Sequence, residues 1–490
     1  MNILASFQNY IEVDTERNVR GYSVPEVTKE NVAYILSRLK DAATEYEHTG
    51  RNPMGAVAET NSIWADPNYS GRRDSIPILS RMTGFSERMI DKLCFLPYGW
   101  DLSSLYIDIK SMTLGNPQPY EYGFVVVNKD DKHKPILPSL IVHIGFGNLP
   151  GYDPLGLLTG FSISSIDGCK LPGQLFKLSH QQPFFVFRYI SSLETIDPEL
   201  ARTVFTGYWE GGDNELEKQI FRSTDVISPS GKTETIEDVA RRANSLWNFG
   251  RKPYVITRHN TKVGQGLHHG DFSEEDATLY AFDAAAFYGV SCFNLKNLTI
   301  VGTPSDAKEI AEMLSKSLEK VVGSLGTIQD DEFSLAIGDD LLKFQRTASV
   351  IEDSSLHIPR KGLGYVVAYI PTGSELPLPD KGVCVVVSSV NSEEEYLSKA
   401  AKIPKDLKQT IVTNYEDLGY LSRIAESGFT RICFPGYAPY PQPGPHDGAI
   451  DSIDMVQGGG YRLTTIERDL GLADAKIRNL KRLAEDFDIR

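Results

Sequence analysis

The 490-residue sequence has few cysteines and no long apolar run, and each shortage excludes a class of protein. Its five cysteines are scattered and form no Cys-x-x-Cys pair, which excludes a disulfide framework and a zinc ribbon and favours a reducing compartment. No apolar run approaches the roughly 18 residues of a membrane-spanning helix, and the N-terminus has no basic region followed by an apolar stretch. We therefore predict a cytoplasmic protein without a membrane span.

Basic residues are also in the minority. The chain has 50 Lys and Arg against 65 Asp and Glu, a formal net charge of −15, and no Lys/Arg run forms a local basic patch. Such a charge repels nucleic acid and anionic membranes, so we expect neither as a partner. The composition, 41% hydrophobic and 23% charged, is typical of a globular protein, and the length predicts about three domains.

Short β-rich runs alternate with helical segments from about residue 104 onward. Before that the pattern is helical, with Val32, Ile35 and Leu39 at helical spacing. The β-rich runs of the first half are SLYIDI (104–109), YGFVVVN (122–128), SLIVHIGF (139–146), FSISSI (161–166), RTVFTGY (202–208), TDVISPS (224–230) and PYVIT (253–257). Because strands separated by helices form parallel βαβ units, these runs predict an α/β sheet of the nucleotide-binding type.

A second α/β block follows Cys292. The run NLTIVG (297–302) predicts a strand, and the next helix is expected to begin at Pro304 with Thr303 as its N-cap. The two blocks meet near residue 257, and a Pro/Gly-rich segment at 437–448 ends the second.

Three loops have the composition of phosphate-binding turns. GFGNLPG (145–151) and SPSGKTET (228–235) follow predicted strands, and EGGD (210–213) precedes a helix. None matches the full G-x-G-x-x-G or P-loop pattern, which disfavours a kinase or NTPase and leaves simple glycine-rich turns as the alternative.

Cys292 differs in context from the other cysteines. It follows a helix rich in small residues that ends near Gly289, a place where a turn can expose a nucleophile. Cys94, Cys384 and Cys433 lie in apolar runs and are expected in the core. His268 and His269 are adjacent and point in different directions, so we expect no metal site.

Six motifs occur in the order and approximate spacing of the aldehyde dehydrogenase superfamily, and the chain most closely resembles the LuxC-type acyl-CoA reductases. They are VHIGFGNLPG, SSIDGCKLPGQ, WEGGDNELEKQIF, STDVISPSGKTETI, ATLYAFDAAAFYGVSC and GFTRICFPGYAP with a later HDG, over about residues 100–450. The resemblance implies an α/β fold with a Rossmann-type cofactor domain and an α/β catalytic domain. The implied divisions are 1–100 (helical segment of the cofactor lobe), 101–257 (NAD(P)-binding), 258–436 (catalytic) and 437–490 (a tail that packs on the cofactor lobe or a neighbouring subunit).

The resemblance also implies roles for individual residues. Cys292 would hold the acyl group as a thioester, and Asn148 with the backbone N–H of Cys292 would stabilise the oxyanion. Lys170, at the end of its strand, would meet the adenosine ribose or its 2′-phosphate. NADPH is the implied cofactor, with NADH as the alternative. The residues expected to line the dinucleotide are Gly211, Gly212, Ser230, Gly231 and Thr233.

One departure from the superfamily bears on the reaction. Where hydrolytic aldehyde dehydrogenases have a general-base glutamate that activates water, this chain has the run Arg258-His259-Asn260-Thr261. The absence of this glutamate favours reduction of the acyl-Cys292 thioester by NAD(P)H to an aldehyde, which we expect to be a long-chain fatty aldehyde. His259 is the candidate proton carrier, and a packed or solvent-exposed histidine fits the sequence equally well. Lost activity also fits the missing glutamate.

The resemblance implies an acyl-CoA or acyl-protein donor, an acyl-protein synthetase subunit as partner, and a homo-oligomer. Three alternatives stay open. The protein could work oxidatively as an aldehyde dehydrogenase, or serve as a non-catalytic acyl-binding subunit of a fatty-acid reductase complex. A cysteine hydrolase would need an oriented His and Asp or Asn, for which His259 and Asn260 are available.

Overall fold

A computed structural model of the chain shows two α/β lobes, each built on its own sheet. It describes residues 13–99, 124–129, 137–145, 147–166, 168–212, 214–246, 252–326, 328, 331–359, 364–372, 376–441, 447, 451–457, 461–467 and 471–489. The strand predicted at 104–109 lies outside these residues. In the described part of the chain, no helix has both the length and the apolar character needed to cross a membrane.

The helices lie mostly between consecutive strands of the two sheets. Their bounds are Val32–His48, Pro53–Ala65, Ser70–Thr83, Glu87–Met89, Pro154–Ser162, Phe185–Ile196, Pro198–Ala201, Asn214–Ser223, Thr233–Asn244, Glu274–Ala285, Pro304–Ser324, Asp331–Ser349, Glu393–Lys402, Leu418–Glu426, Asp451–Gln457 and Leu472–Phe487. The helix Pro304–Ser324 begins as predicted, with Thr303 as its N-cap and Asp306 completing a capping box.

The strands divide into a hairpin and two sheets. They are β1 (Glu16–Val19), β2 (Tyr22–Pro25), β3 (Phe124–Lys129), β4 (Leu140–Ile144), β5 (Gly173–Lys177), β6 (Val204–Gly207), β7 (Val226–Pro229), β8 (Tyr254–Val255), β9 (Gly264–His269), β10 (Leu295–Val301), β11 (Ser355–His357), β12 (Tyr365–Tyr369), β13 (Val383–Val390), β14 (Thr410–Thr413), β15 (Arg431–Cys433) and β16 (Tyr461–Glu467). Strands β1 and β2 pair antiparallel.

The first lobe contains a parallel five-stranded sheet in the order β6-β5-β4-β7-β8. The chain runs outward from β4 to β6 and then returns to β7, so the order reverses between β4 and β7. Ligands of such sheets bind at the carboxyl ends of the strands, beside this reversal. The helix Val32–His48 covers one face, with Ile35 and Leu39 packed against Leu175.

The second lobe contains a nine-stranded sheet in the order β11-β12-β13-β10-β9-β14-β15-β16-β3. Its strands are parallel except at the two ends, where β11 and β3 pair antiparallel with their neighbours. All eight residues of β13 are buried, as expected for a parallel strand covered on both faces.

The run FSISSI (161–166) is helical, and the prediction of a strand there is wrong. It ends the helix Pro154–Ser162 and continues into a 3₁₀ turn. The strand forms instead at β5. The helix lies very close to β5, since a Cβ on Gly160 would be 2.1 Å from Gln174 Oε1, so its apolar side chains are buried against the sheet without joining it.

The last part of the chain contacts both lobes. Strand β16, from the segment assigned to a C-terminal tail, pairs with β15 and with β3, which comes from the segment assigned to the cofactor domain. The helix Asp451–Gln457 packs on the first lobe, where Ile453 and Val456 share an apolar cluster with Ile141. This arrangement brings the acidic residues at 447–454 between the lobes.

Candidate active site

A strained turn at the start of the second lobe places Cys292. After the helix Glu274–Ala285 the backbone is left-handed at Phe287 (φ 52°) and Tyr288 (φ 49°), a conformation that bulky residues adopt only when packing enforces it. Both side chains are buried. Gly289 follows with φ 71°, and a Cβ there would lie 2.5 Å from the carbonyl oxygen of Gly382.

Asn148 reaches this turn from the other lobe. It lies in the loop after β4, and its Nδ2 donates a hydrogen bond to the carbonyl oxygen of Val290 over 3.0 Å. The structure therefore brings two of the predicted catalytic residues, Asn148 and Cys292, to the same place between the lobes.

The Cys292 thiol is neutral in this environment. Burial raises its pKa to about 11, and the charge of Asp447 acts in the same direction. A hydrogen bond from the Gln409 side chain and the charge of Lys262 oppose this rise. A nucleophilic thiolate therefore forms only as the proton leaves.

A polar network extends from Cys292 to the predicted proton carrier. Gln409 Nε2 donates to Asp447 Oδ1 over 2.5 Å, and Asp447 Oδ2 lies 2.8 Å from His259 Nδ1. The other ring nitrogen, His259 Nε2, lies 3.1 Å from Asp451 Oδ2. Burial alone would lower the pKa of His259, but the charges and hydrogen bonds of Asp451 and Asp447 raise it to about 9.

Further charged and polar side chains extend this network beyond His259. Arg258 pairs with Asp451 and with Asp454, and Tyr254 donates to Asp454 over 3.0 Å. Sequence reasoning missed Gln409, Asp451 and Asp454, and it quoted Asp447 only as part of the HDG motif. Among the described residues no group of three or more His, Cys, Asp or Glu side chains is arranged to hold a metal ion.

A cavity of about 610 Å³ opens between the lobes beside the network. It is lined by Thr233, Ile236 and Glu237 of the first lobe and by Thr257, Arg258, Asn260, Lys262, Lys405, Asp406, Lys408, Thr430, Asp447 and Asp454. A small substrate or cofactor can therefore approach the polar network from this side.

The predicted dinucleotide-binding residues lie at the carboxyl ends of the first sheet. Gly211 and Gly212 follow β6, and Ser230 and Gly231 follow β7. A Cβ on Gly212 or on Gly231 would meet nothing within 4 Å, so these loops leave space for a ligand. Two backbone N–H groups of these loops already make hydrogen bonds within the protein. Ser230 N–H donates to the carbonyl oxygen of Ile144, and Gly231 N–H donates to that of His259.

The structure does not place Lys170 at the end of a strand. It precedes β5, its side chain is 80% exposed, and its Nζ lies 3.3 Å from a carboxylate oxygen of Glu47. The lysine at the end of β5 is Lys177, which the sequence reasoning missed because it assigned the strand to 161–166.

Lys177 has the surroundings of a buried binding residue. Its side chain is 13% exposed, and its Nζ lies 3.8 Å from Glu217 Oε1 and 5.1 Å from the ring centre of Trp209. A Cβ on Gly211 would lie 3.3 Å from that Nζ. Burial, assisted by the nearby Arg242 cation, lowers the pKa of Lys177 to about 8. This lysine adjoins the glycine loop that Lys170 does not reach.

Comparison with known proteins gives one family and one fold. A family model described as acyl-CoA reductase (LuxC) matches residues 51–457. A long-chain acyl-protein thioester reductase from Photorhabdus luminescens is 24% identical over 409 residues, 79% of this chain and 76% of that protein. A methylmalonate-semialdehyde dehydrogenase from Oceanimonas doudoroffii superposes with a TM-score of 0.61 at 12% identity, covering 93% of this chain and 95% of that one.

A second solved structure agrees with the first. A succinic semialdehyde dehydrogenase from Streptococcus pyogenes, in complex with NADP⁺, superposes with a TM-score of 0.59 at 14% identity over 90% of this chain and 96% of that one. The predicted aldehyde dehydrogenase-like α/β fold is confirmed.

Proposed function

Since the chain belongs to the acyl-CoA reductase (LuxC) family, as the motifs predicted, we propose that it reduces an acyl thioester to an aldehyde through a covalent acyl-Cys292 intermediate. The meeting of Asn148 and Cys292 at one turn between the lobes supports the proposal most directly. The name of the Photorhabdus relative supports a long-chain acyl-protein donor, and the family description supports acyl-CoA.

Acyl transfer begins with the sulfur of Cys292. Its Sγ attacks the thioester carbonyl, and the donor leaves as a thiol that carries away the proton of Cys292. The reaction therefore suits a thiol whose pKa is about 11, because the proton is lost during the transfer. Charge develops on the carbonyl oxygen during this attack. The donors that stabilise this charge are the backbone N–H of Cys292 and the Asn148 amide. In the structure the Asn148 amide donates a hydrogen bond to the carbonyl oxygen of Val290.

The first lobe fits a nicotinamide dinucleotide. Its strands end in glycine loops with open space at Gly212 and Gly231, next to the buried cation of Lys177 and to Thr233 at the start of a helix. We propose that these residues, together with Gly211 and Ser230, hold the cofactor. Lys177 takes the role first expected of Lys170, which is contact with the adenosine ribose or its 2′-phosphate. When bound, the reduced nicotinamide supplies hydride to the acyl carbon. NADPH is the proposed form, because a lysine cation suits a 2′-phosphate, and NADH is the alternative.

A direct assay tests the proposed function. The protein is incubated with octanoyl-, dodecanoyl- and hexadecanoyl-CoA and with NADPH or NADH, while absorbance of the reduced cofactor and aldehyde formation are followed. We expect the absorbance to fall and aldehyde to appear in equal amount. Faster turnover in the direction of aldehyde oxidation would favour the oxidative alternative, and no turnover together with no acyl adduct would contradict the proposal.

The two lysines give a prediction for cofactor binding. We expect Lys177→Ala to raise the KM for the reduced cofactor roughly 10- to 100-fold, because a hydrogen bond to a charged group contributes about 1.5–3 kcal/mol. Lys170→Ala is the matched control and should leave KM unchanged, since that side chain is exposed and faces Glu47. Steady-state kinetics with varied cofactor measure both, and a larger effect at Lys170 would contradict the assignment.

A further inference from the structure

Both carboxylate oxygens of Asp447 are engaged, and the residue is near enough to Cys292 for its charge to raise the pKa of the thiol. Gln409 Nε2 donates to Oδ1 over 2.5 Å, and His259 Nδ1 donates to Oδ2 over 2.8 Å. The Asp447 charge acts on the Cys292 thiol, which also receives a hydrogen bond from Gln409. A carboxylate is therefore present near the nucleophile, although Arg258 occupies the sequence position of the superfamily glutamate.

His259 is held as an imidazolium between two carboxylates. Its second nitrogen, Nε2, lies 3.1 Å from Asp451, which Arg258 also pairs with. With a pKa of about 9 the ring carries both protons at neutral pH. Because both N–H groups face carboxylates, the ring has no lone pair for taking a proton, and it acts through Asp447 instead of on the substrate.

These hydrogen bonds weaken Asp447 as a base. Burial alone would raise the pKa of Asp447, but the hydrogen bond and charge of His259 lower it. A carboxylate with a low pKa, each of whose oxygens already accepts a hydrogen bond, takes a proton from water poorly. Removing His259 takes away the largest of the effects that lower this pKa, while the charge of Lys262 and the hydrogen bond from Gln409 remain. Asp447 then becomes a stronger base, and its Oδ2 loses the hydrogen bond from the ring.

We propose that His259 and Gln409 prevent Asp447 from activating water, so that the acyl-Cys292 thioester persists until it is reduced. The prevented step is hydrolysis. The water oxygen would bond to the acyl carbon while one water proton moves to Asp447, and the C–S bond would break with the proton passing to Sγ, which releases a carboxylic acid. The inference rests on the proposed function and makes His259 and Gln409 positioning residues that set the product.

The test measures how long the acyl-enzyme lasts. The full-length protein is acylated with dodecanoyl-CoA in the absence of cofactor, and excess donor is removed. Intact mass spectrometry then follows the adduct, and dodecanoic acid is quantified. In His259→Leu we expect the adduct to be lost at least about 10-fold faster, with acid formed in equal amount, because general-base catalysis contributes typically 10²- to 10⁴-fold.

A second set of variants separates this effect from a structural one. The double variant His259→Leu/Asp447→Asn should return the adduct to its wild-type lifetime, because the freed carboxylate is gone. Gln409→Leu releases only Oδ1 and should accelerate loss by a smaller factor than His259→Leu. His268→Leu is the matched control. His268 is also a histidine of the second lobe and is more deeply buried than His259, but it bonds to the carbonyl oxygen of Asp271, so the adduct should last as in the wild type.

The possible outcomes distinguish failure of this inference from failure of the proposed function. Faster loss that persists in the double variant, or no acceleration in either single variant, would overturn the inference while the adduct itself upholds the proposed function. If His259→Leu does not fold, Gln409→Leu decides alone. A wild-type protein that forms no adduct with any acyl-CoA contradicts the proposed function, and this inference with it.

Discussion

Replacing Cys292 by alanine is expected to abolish the acyl adduct and to lower aldehyde formation by about 10⁴-fold or more, since removal of a covalent nucleophile leaves only binding and oxyanion stabilisation. Cys292 lies two residues after Val290, whose carbonyl oxygen accepts a hydrogen bond from the Asn148 side chain of the other lobe. Intact mass spectrometry after incubation with acyl-CoA, together with the rate of cofactor oxidation, measures both effects.

Cys169 provides the control for this prediction. Like Cys292 it is a half-buried cysteine, but it packs in the apolar cluster of the first lobe. Cys169→Ala should keep the adduct and the rate. An adduct that survives in Cys292→Ala would show that another group is acylated, and full activity in that variant would contradict the thioester mechanism.

The largest loss of stability is expected for Arg431→Met. Arg431 and Glu467 are 1% and 3% exposed and form a two-bond ion pair, with Nε–Oε1 at 2.9 Å and Nη2–Oε2 at 2.7 Å. Arg431 also donates to the carbonyl oxygens of Ala438 and Tyr437. Methionine would leave the Glu467 charge and these two carbonyls buried without this partner, at a cost of about 3–5 kcal/mol.

Denaturant or thermal unfolding measures this loss. The control is Arg423→Met, which removes an exposed pair with Glu394 and should cost less than about 1 kcal/mol. In the double variant Arg431→Met/Glu467→Leu we expect much of the stability to return, because no uncompensated charge remains. A midpoint for Arg431→Met equal to that of the control would contradict the role assigned to the pair.

Local patterns predicted many elements correctly. The helix at Pro304 began at its predicted cap because the Thr303 and Asp306 capping box depends on residues three apart. The mostly apolar runs at 139–146, 202–208 and 224–230 contain β4, β6 and β7, since a strand covered on both faces is rich in apolar residues.

One apolar run was ambiguous on its own. FSISSI has the length and composition of a buried strand, and periodicity cannot separate such a strand from a buried helix end. The close contact at Gly160, between the helix and Gln174 of β5, decided the outcome. Because the strand was expected at 161–166, Lys170 was expected at a strand end. The structure has Lys177 at the end of β5, after a short apolar run that could have indicated it.

No local pattern in the sequence indicates the polar groups that surround Cys292. Asp447 and Gln409 lie 188 and 150 residues from His259, and no pattern along the chain relates them. They meet because β14, β15 and β16 continue one sheet beyond β9, and because the helix Asp451–Gln457 crosses to the other lobe.

The sequence by itself determined the α/β class and the family, because these depend on local periodicity and on motifs of fixed spacing. Only the tertiary structure decided which lysine adjoins the loop at Gly211 and which carboxylate is near enough to Cys292 to raise the pKa of its thiol. The physical reason is that hydrogen bonding and the pKa of a buried group depend on neighbours in space, and folding brings those neighbours from distant parts of the chain.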